Sequence, residues 1–417
     1  MNETLPTARP DVVVIGAGLA GLATAQLVRR AGCSVVVLDG QPAGGRGRTD
    51  ERRGFLFNRG PHALYRGGHA EAVLATLGVR ATGGAPGSSA FGLLGERVAA
   101  LPTGAVTLLR SSLLGWKAKV GIGRLLTRLP KVRAETLAEV SFRDWLSYAD
   151  LPRDGELLVE MLARVASYTN APEMVSADLV VGQMQMALGR GVRYLDGGWQ
   201  SLVSALVAAL DVQQGTATSV SCDGGAVVVE CSDRAPLVAR AAIVAVGTPA
   251  AASSLLGRTD FDVGAPVEAA CLDLGITGAI DPSLLFGLDA PLYLSAHSPA
   301  ATLAPAHHSV VHVARYLAPD ERTEPIAQRA ELDVHAARVG ITADRIVEHR
   351  YLHRMTVVGA LTTASRGGMP ARPGVADVAR PGVFLAGDWV GRRGHLLDAA
   401  LASAEEAAAA AVKLIAR

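Results

Sequence analysis

Three glycines near the start of the chain have the spacing that lets a backbone approach phosphate groups. Gly16, Gly18 and Gly21 form Gly-x-Gly-x-x-Gly directly after an apolar run, and Asp39 ends the next apolar run. In this pattern the first glycine permits a tight turn, the second admits a pyrophosphate, and the third lets a helix pack on the strand. An acid at the end of the second strand accepts hydrogen bonds from ribose hydroxyls. The pattern therefore predicts a strand, a turn and a helix that bind a dinucleotide.

Three later segments favour FAD over NAD as that dinucleotide. Residues 44–49 read Gly-Gly-Arg-Gly-Arg-Thr and offer a second glycine-rich approach, together with Arg46 to neutralise phosphate charge. Residues 60–63, Gly-Pro-His-Ala, follow a short apolar strand. Residues 382–388 form a further apolar strand that ends in Gly-Asp.

With these motifs in this order, the chain resembles the superfamily of flavin-dependent amine oxidases, protoporphyrinogen oxidases and phytoene desaturases over nearly its whole length. The resemblance implies an α/β fold, in which a discontinuous Rossmann-like FAD-binding domain carries an inserted α+β substrate domain. It also implies that the backbone of Val220 contacts adenine and that Leu397 lies against the isoalloxazine. From motifs and resemblance together, we predict that the cofactor-binding residues are Gly16, Ala17, Gly18, Leu19, Ala20, Gly21, Asp39, Gly40, Gly44, Gly45, Arg46, Gly60, Pro61, His62, Ala63, Val220, Gly387, Asp388, Leu397 and Asp398.

The length of 417 residues exceeds what one hydrophobic core usually supports, so two domains are expected. The pattern changes along the chain, becoming mainly helical over residues 81–195 and alternating within 261–369. The predicted FAD-binding domain comprises residues 1–80, 196–260 and 370–417, and the predicted substrate domain comprises residues 81–195 and 261–369.

Composition limits the classes of partner. A hydrophobic fraction of 49% excludes a disordered protein, and a net charge of +1 gives no reason to expect nucleic acid. The cysteines are scattered and the histidines between 297 and 312 lack metal-ligand spacing, so we expect no metal. No cysteine follows Cys271, which favours FAD bound without a covalent bond. Residues 1–10 lack the apolar core of a secretory signal, so a cytoplasmic location is expected.

The basic segment, which we define as residues 106–133, contains seven Lys or Arg residues and no acid. Such a segment could lie on an anionic membrane and admit a lipophilic substrate. The alternative is a pair of lid helices with a solvated basic face. We favour the lid helices, because Gly115, Gly121 and Gly123 would interrupt a long interfacial helix.

The resemblance places His62 and His395 near the flavin, and histidine accepts protons at physiological pH. These two are the candidate catalytic residues, with packing or hydrogen bonding as the alternative role of each. Oxidation of a C–H bond by FAD needs mainly a dry, oriented substrate, so a catalytic side chain is optional.

Two departures from the amine oxidases affect the predicted substrate. Leu396 stands where those enzymes typically carry an aromatic cage residue, and the substrate-domain segment 261–369 has no lysine to hold water near flavin N5. We therefore expect hydride transfer to N5 from a C–H bond of an apolar small molecule. An amine or porphyrinogen oxidase remains the alternative, and a flavin-dependent isomerase or regulatory protein is a third reading. Because the chain has one dinucleotide fingerprint, the expected electron acceptor is oxygen or a quinone.

Overall fold

The computed structural model of the chain describes residues 9–258 and 261–417. In these ranges the strands are β1 (Val12–Ile15), β2 (Val35–Asp39), β3 (Thr49–Arg52), β4 (Phe55–Asn58), β5 (Leu64–Tyr65), β6 (Ala90–Leu94), β7 (Arg97–Ala100), β8 (Val192–Arg193), β9 (Asp211–Gln214), β10 (Ala217–Asp223), β11 (Ala226–Cys231), β12 (Leu237–Ala239), β13 (Ala241–Val244), β14 (Val267–Thr277), β15 (Leu284–Gly287), β16 (Leu292–Ala296), β17 (His308–Tyr316), β18 (Ile346–Val358) and β19 (Val383–Leu385). The α-helices are α1 (Leu19–Arg30), α2 (His69–Thr76), α3 (Ala105–Arg110), α4 (Trp116–Arg128), α5 (Phe142–Ser147), α6 (Arg153–Ser167), α7 (Ala177–Arg190), α8 (Gln200–Val207), α9 (Pro249–Leu256), α10 (Pro325–Ala337) and α11 (Leu396–Ile415). Among the helices described, none is both long enough and apolar enough to cross a membrane.

A parallel sheet in the order β19-β13-β1-β2-β9 carries the glycine motif at the carboxyl end of its middle strand. The sequence Val-Val-Val-Ile suits β1 because a middle strand of a covered parallel sheet is buried on both faces. Val12 and Val14 pack in a cluster with helices α1 and α11, whereas Val13 and Ile15 pack with β10 and β11 on the opposite face. The predicted strand, turn and helix at this motif are therefore confirmed.

A tight hairpin joins β10 to β11. The two strands pair antiparallel, and the turn lies between Asp223, which ends β10, and Ala226, which begins β11. The two loop residues, Gly224 and Gly225, have φ of 54° and 81°. A two-residue turn with both φ values positive matches the twist of the paired strands, and glycine adopts it without strain.

A mixed sheet in the order β18-β14-β17-β16-β15-β6-β7 forms the second large layer. Strands β6 and β7 lie in the segment predicted to be mainly helical, and they extend the edge of this sheet. Register places Arg350, Asp273, His312 and Ser295 side by side on four adjacent strands. Helix α7 begins after Ser176, whose hydroxyl donates to the Ala138 carbonyl oxygen at 2.7 Å and does not cap the helix.

Candidate flavin site

The turn after β1 needs glycine at two positions for steric reasons. Gly16 has a φ of 110°, and a Cβ there would lie 2.5 Å from the Ala245 carbonyl oxygen. A Cβ on Gly21 would lie 1.9 Å from the Gly16 carbonyl oxygen. A Cβ on Gly18 would meet no protein atom within 4 Å. Packing within the protein thus accounts for Gly16 and Gly21, whereas the space beside Gly18 suits a ligand phosphate at the N-terminus of α1.

Asp39 is oriented by the backbone around it. Its Oδ2 accepts a hydrogen bond from the Ala17 N–H at 2.6 Å, and its Oδ1 accepts one from the Gln41 N–H at 2.8 Å. A carboxylate has about four acceptor directions, so lone pairs remain for ribose hydroxyls. Asp39 also lines a large cleft, where its free lone pairs are accessible to a ligand.

A cleft of about 1210 Å³ runs from the Gly16 turn to the N-terminus of α11. A pocket of this size holds a large cofactor with space for a substrate. The predicted cofactor residues that line it are Gly16, Gly18, Leu19, Ala20, Asp39, Gly40, Gly44, Gly45, Arg46, Pro61, His62, Ala63, Gly387, Asp388 and Leu397. The phosphate, ribose and ring ends of an FAD molecule thus have suitable groups along one continuous cavity.

Three predicted residues outside the lining support the cleft from behind. The Ala17 carbonyl oxygen accepts a hydrogen bond from the Gly44 N–H at 2.7 Å, which joins the two glycine-rich segments. Gly21 provides the close helix packing described above. Gly60 has a φ of 82° and positions the following Pro61 and His62.

Val220, expected to contact adenine through its backbone, has a buried side chain, and its carbonyl oxygen accepts a hydrogen bond from Arg380. Thr216, Ala217 and Thr218, just upstream, line the cleft. The contact between the Val220 backbone and adenine stays a prediction.

Arg46 and Asp388 both line the cleft and form an ion pair with each other. Arg46 Nη1 lies 2.7 Å from Asp388 Oδ2 and 2.8 Å from the Val357 carbonyl oxygen. Burial acts to lower the pKa of Arg46, but the Asp388 carboxylate outweighs it and raises the pKa. The Arg46 side chain is 37% exposed and lines the cleft, so the remaining N–H groups are available to a bound anion.

Helix α11 starts at the end of the cleft where the resemblance places the isoalloxazine, the expected reacting end. Leu396 and Leu397, in its first turn, both line the cavity, and Leu396 holds a φ of 53°. A left-handed backbone at leucine costs free energy and is typically found at functional sites. The positive end of this 20-residue helix lies at the cleft, where it would stabilise negative charge on a bound group. Its first acid, Asp398, is buried outside the lining, where its Oδ1 accepts from the Ala70 N–H and burial raises its pKa.

The two candidate histidines occupy different environments. His62 lines the cleft, and its Nδ1 lies 3.0 Å from the Gly60 carbonyl oxygen. Since that oxygen only accepts, Nδ1 carries the proton and Nε2 keeps a lone pair. Burial lowers the pKa of His62 to about 4, so its ring is neutral near pH 7.

His395, the other candidate proton acceptor, is not among the residues that line the cleft. Its ring is buried, and its Nε2 lies 2.9 Å from the Ser167 carbonyl oxygen. Burial lowers the pKa of His395 to about 4 as well. These contacts favour the alternative role, packing and hydrogen bonding at the start of α11.

A buried polar row lies close to His62. Asp273 accepts hydrogen bonds from His312 Nδ1 at 2.6 Å, Cys271 Sγ at 3.1 Å and Arg350 Nε at 2.9 Å. Burial acts to raise the pKa of Asp273, but His312 and Arg350 together lower it. The fold brings Cys271, Asp273 and His312 within 4.8 Å of one another, a grouping that sequence spacing did not suggest. Arg350 neutralises the carboxylate, so hydrogen bonding accounts for the group without a metal ion.

Sequence reasoning missed several residues on the substrate side of the cleft. They include Tyr168, whose hydroxyl donates to the Pro61 carbonyl oxygen at 2.9 Å, and Leu352 and Met355 on β18. Thr248, after β13, also lines the cleft and caps α9. The Gly247-Thr248-Pro249 turn at the end of an apolar strand could have indicated it, because ligands bind at the carboxyl ends of parallel strands. No local sequence pattern indicates Tyr168, Leu352 or Met355.

Comparison with solved structures identifies proteins of the same fold. A wild-type putrescine oxidase bound to putrescine has a TM-score of 0.75, 18% identity and coverage of 99% of this chain and 100% of that one. Cyclohexylamine oxidase from Brevibacterium oxydans IH-35A has a TM-score of 0.73, 15% identity and coverage of 98% and 100%. At these identities the likeness shows the fold. No curated protein matches the chain.

The model of the family described as flavin containing amine oxidoreductase matches residues 19–271, which is more than half of the chain. The cleft fits FAD as the flavin, since it joins the Gly18 phosphate position and the Asp39 ribose acceptor to the α11 terminus. The chain is therefore an FAD-dependent oxidoreductase and belongs to the flavin-containing amine oxidoreductase family.

Proposed function

We propose that the protein oxidises a C–H bond of an uncharged, apolar small molecule. The observation that carries this proposal is the pairing of the acids along the cleft. Asp388 pairs with Arg46 at 2.7 Å, and Asp50 pairs with Arg350 at 2.6 Å. Among the described lining residues the remaining acid is Asp39, which accepts from two backbone N–H groups at the dinucleotide turn. A cationic amine would find no unpaired carboxylate to replace its water.

The wall around the reacting end suits an apolar molecule. Leu352, Met355, Leu396 and Leu397 line this part of the cleft together with the ring of Tyr168. Burying an apolar substrate there gains about 25 cal/mol for each Å² removed from water. These side chains also exclude water from the reacting carbon, which favours hydride transfer over side reactions.

FAD supplies the acceptor for a hydride equivalent when it is bound. Residues of this chain hold and orient the substrate, and His62 is the group placed to accept a proton from it. The His62 Nε2 lone pair is available because Nδ1–H is directed to the Gly60 carbonyl oxygen. With a pKa of about 4, His62 is a weak base, so we expect it to assist proton loss from a substrate that is already losing hydride.

Oxidation of an amine is the second candidate, and the family favours it. The matching family model is described as flavin containing amine oxidoreductase, and solved neighbours include putrescine oxidase and cyclohexylamine oxidase. An amine would have to enter this cleft as the free base, because the lining offers no unpaired acid. The two candidates therefore predict different substrate preferences.

Anaerobic flavin reduction separates these candidates. The FAD-loaded protein is mixed with an apolar polyene, a porphyrinogen or cyclohexylamine in the absence of NAD(P)H, and bleaching of the flavin band is followed. Fastest bleaching by the polyene supports the proposal. Fastest bleaching by cyclohexylamine, with a rate that rises as the free base increases with pH, replaces it by amine oxidation. No bleaching by any of the three supports a non-redox role and overturns both candidates.

We also propose oxygen or a quinone as the electron acceptor, because the chain has one dinucleotide fingerprint. Reduced protein is mixed with air-saturated buffer or with a soluble quinone, and recovery of the flavin band is timed. Recovery with either acceptor at a rate that matches turnover supports the proposal. Recovery only with NAD(P)⁺ contradicts it.

A further inference from the structure

The basic segment, residues 106–133, presents apolar side chains to solvent as well as charge. Val106, Leu109 and Trp116 are 61%, 57% and 68% exposed. A solvated basic face, as expected for lid helices, does not account for three large apolar side chains in water. The seven cations of the segment are Arg110, Lys117, Lys119, Arg124, Arg128, Lys131 and Arg133.

These apolar side chains belong to one patch. Val106 and Leu109 are three residues apart on α3 and so share a helix face. Lys119 Nζ donates to the Leu109 carbonyl oxygen at 2.8 Å, which joins α3 to the first turn of α4. Trp116 begins α4 one turn before Lys119. We call Val106, Leu109, Trp116 and the seven surrounding cations the docking patch.

The opposite faces of both helices pack against the protein core. Leu108 of α3 and Ala118 and Ile122 of α4 are buried in the core that also contains Tyr168, and so is Leu113 in the connection between the helices. The Gly115 N–H donates to Asp154 Oδ2 at 2.6 Å and fixes the start of α4. The outward side chains are therefore exposed by a folded, amphipathic helix pair.

The charge of the docking patch is largely uncompensated. Within the described residues, the ion pair recorded for these cations joins Arg133 to Glu135 at 3.1 Å. No carboxylate lies within 4 Å of Lys117, Arg124 or Arg128 in the same ranges, although the whole chain is nearly neutral at +1. The positive potential is thus local to one surface.

We propose that the docking patch binds the surface of an anionic lipid bilayer. Tryptophan at the headgroup level and aliphatic side chains just below it, surrounded by Lys and Arg, are the features that anchor a helix at such an interface. Nucleic acid would satisfy the cations but leave Val106 and Leu109 without apolar contact. A second copy of the chain would place seven cations against seven like charges. Of these partners, the anionic bilayer offers negative charge to the cations and an apolar environment to Val106, Leu109 and Trp116.

Vesicle binding tests this with the full-length, FAD-loaded protein, and the result does not depend on the substrate. Sedimentation is compared for vesicles of phosphatidylcholine alone and vesicles that also contain phosphatidylglycerol. We expect binding to the anionic vesicles, and weaker binding as salt is added. Trp116 is the exposed one of the four tryptophans, so a blue shift and loss of acrylamide quenching on binding would report its burial.

Variants with matched controls test the cations and the apolar side chains of the docking patch one at a time. Lys117→Glu with Arg128→Glu should weaken binding to anionic vesicles by roughly tenfold or more. The control, Arg30→Glu with Lys413→Glu, has the same charge change on exposed positions elsewhere and should bind as the wild type does. Trp116→Ala should weaken binding about tenfold, whereas the control Ile326→Ala, at a residue 87% exposed on α10, should not.

Several results would overturn the proposal. Absence of binding to anionic vesicles does so directly, and so does equal weakening by the patch variants and their controls. Binding to duplex DNA that matches vesicle binding and is unaffected by Trp116→Ala would assign the patch to nucleic acid. A dimer in solution that dissociates in Trp116→Ala would assign the patch to a second copy.

Discussion

Removal of the Asp39 carboxylate should weaken binding of FAD while leaving binding of FMN unchanged. Asp39 lines the cleft at the end of β2, and its two oxygens already hold the Ala17 and Gln41 N–H groups. In Asp39→Ala the ribose hydroxyls of the adenosine half lose their acceptor. An unmet hydrogen bond costs about 1–3 kcal/mol, so we expect the Kd for FAD to rise about 5- to 150-fold. Because FMN has no adenosine half, its Kd should not change.

The assay is a flavin-fluorescence titration of apoprotein with FAD and, separately, with FMN. Asp39→Asn serves as a second variant, because its amide retains one acceptor oxygen and should lose less affinity than Asp39→Ala. Asp211→Ala, which removes an exposed acid from the neighbouring strand β9, is the matched control. The reasoning is refuted if Asp39→Ala weakens FMN as much as FAD, since the loss would then be a general collapse of the turn. An unchanged Kd for FAD would refute it as well.

Four further outcomes are expected. Acid precipitation should leave the yellow colour in the supernatant, because no cysteine follows Cys271, and colour with an added flavin mass on a peptide would contradict this. Leu396→Arg should abolish turnover and retain FAD, because it places an unpaired charge at the reacting end, whereas Leu188→Arg, at a residue 51% exposed, should change neither. Gly21→Ala should lower the melting temperature of the apoprotein, since its Cβ would lie 1.9 Å from a carbonyl oxygen, whereas Gly18→Ala should leave that temperature unchanged and weaken FAD. Burial lowers the pKa of His395 from 6.5 to about 4, so the unfolded chain binds the proton more readily and the contribution of His395 to the free energy of unfolding should fall by up to about 3 kcal/mol between pH 6.5 and 4. Because His62 contributes a fall in the same direction, His395→Gln should make the total fall smaller without removing it in a pH series of melting curves.

Local motifs carried most of what the sequence predicted. The Gly16 turn and Asp39 are recognisable because a strand, a turn and a helix adjacent in the chain impose their own residue types. The hairpin at Gly224 and Gly225 has the same local character. Each of these features is determined by the conformation of a few consecutive residues.

Features that depend on strand register could not be predicted from the sequence. Arg350, Asp273 and His312 meet because three strands align, and no spacing along the chain encodes that alignment. The pairing of Arg46 with Asp388 joins residues 342 positions apart. The same limitation applies to Thr216, Ala217 and Thr218, which line the cleft and were not predicted from the sequence. Strands β6 and β7 were missed because strands of five and four residues are too short to show a clear periodicity.

The order of strands in the parallel sheet has a consequence for how the protein acquires its cofactor. Strand β1 pairs with β13 at Ala241–Val244, more than 200 residues later in the chain, and β19 at Val383–Leu385 lies on the far side of β13. Pairings of such long sequence separation form slowly, since the intervening chain must first be closed into a loop. The apolar strand β1 therefore lacks one of its sheet neighbours until β13 has been synthesised, and a cleft lined by Gly387 and Asp388 forms only after β19 has joined the sheet.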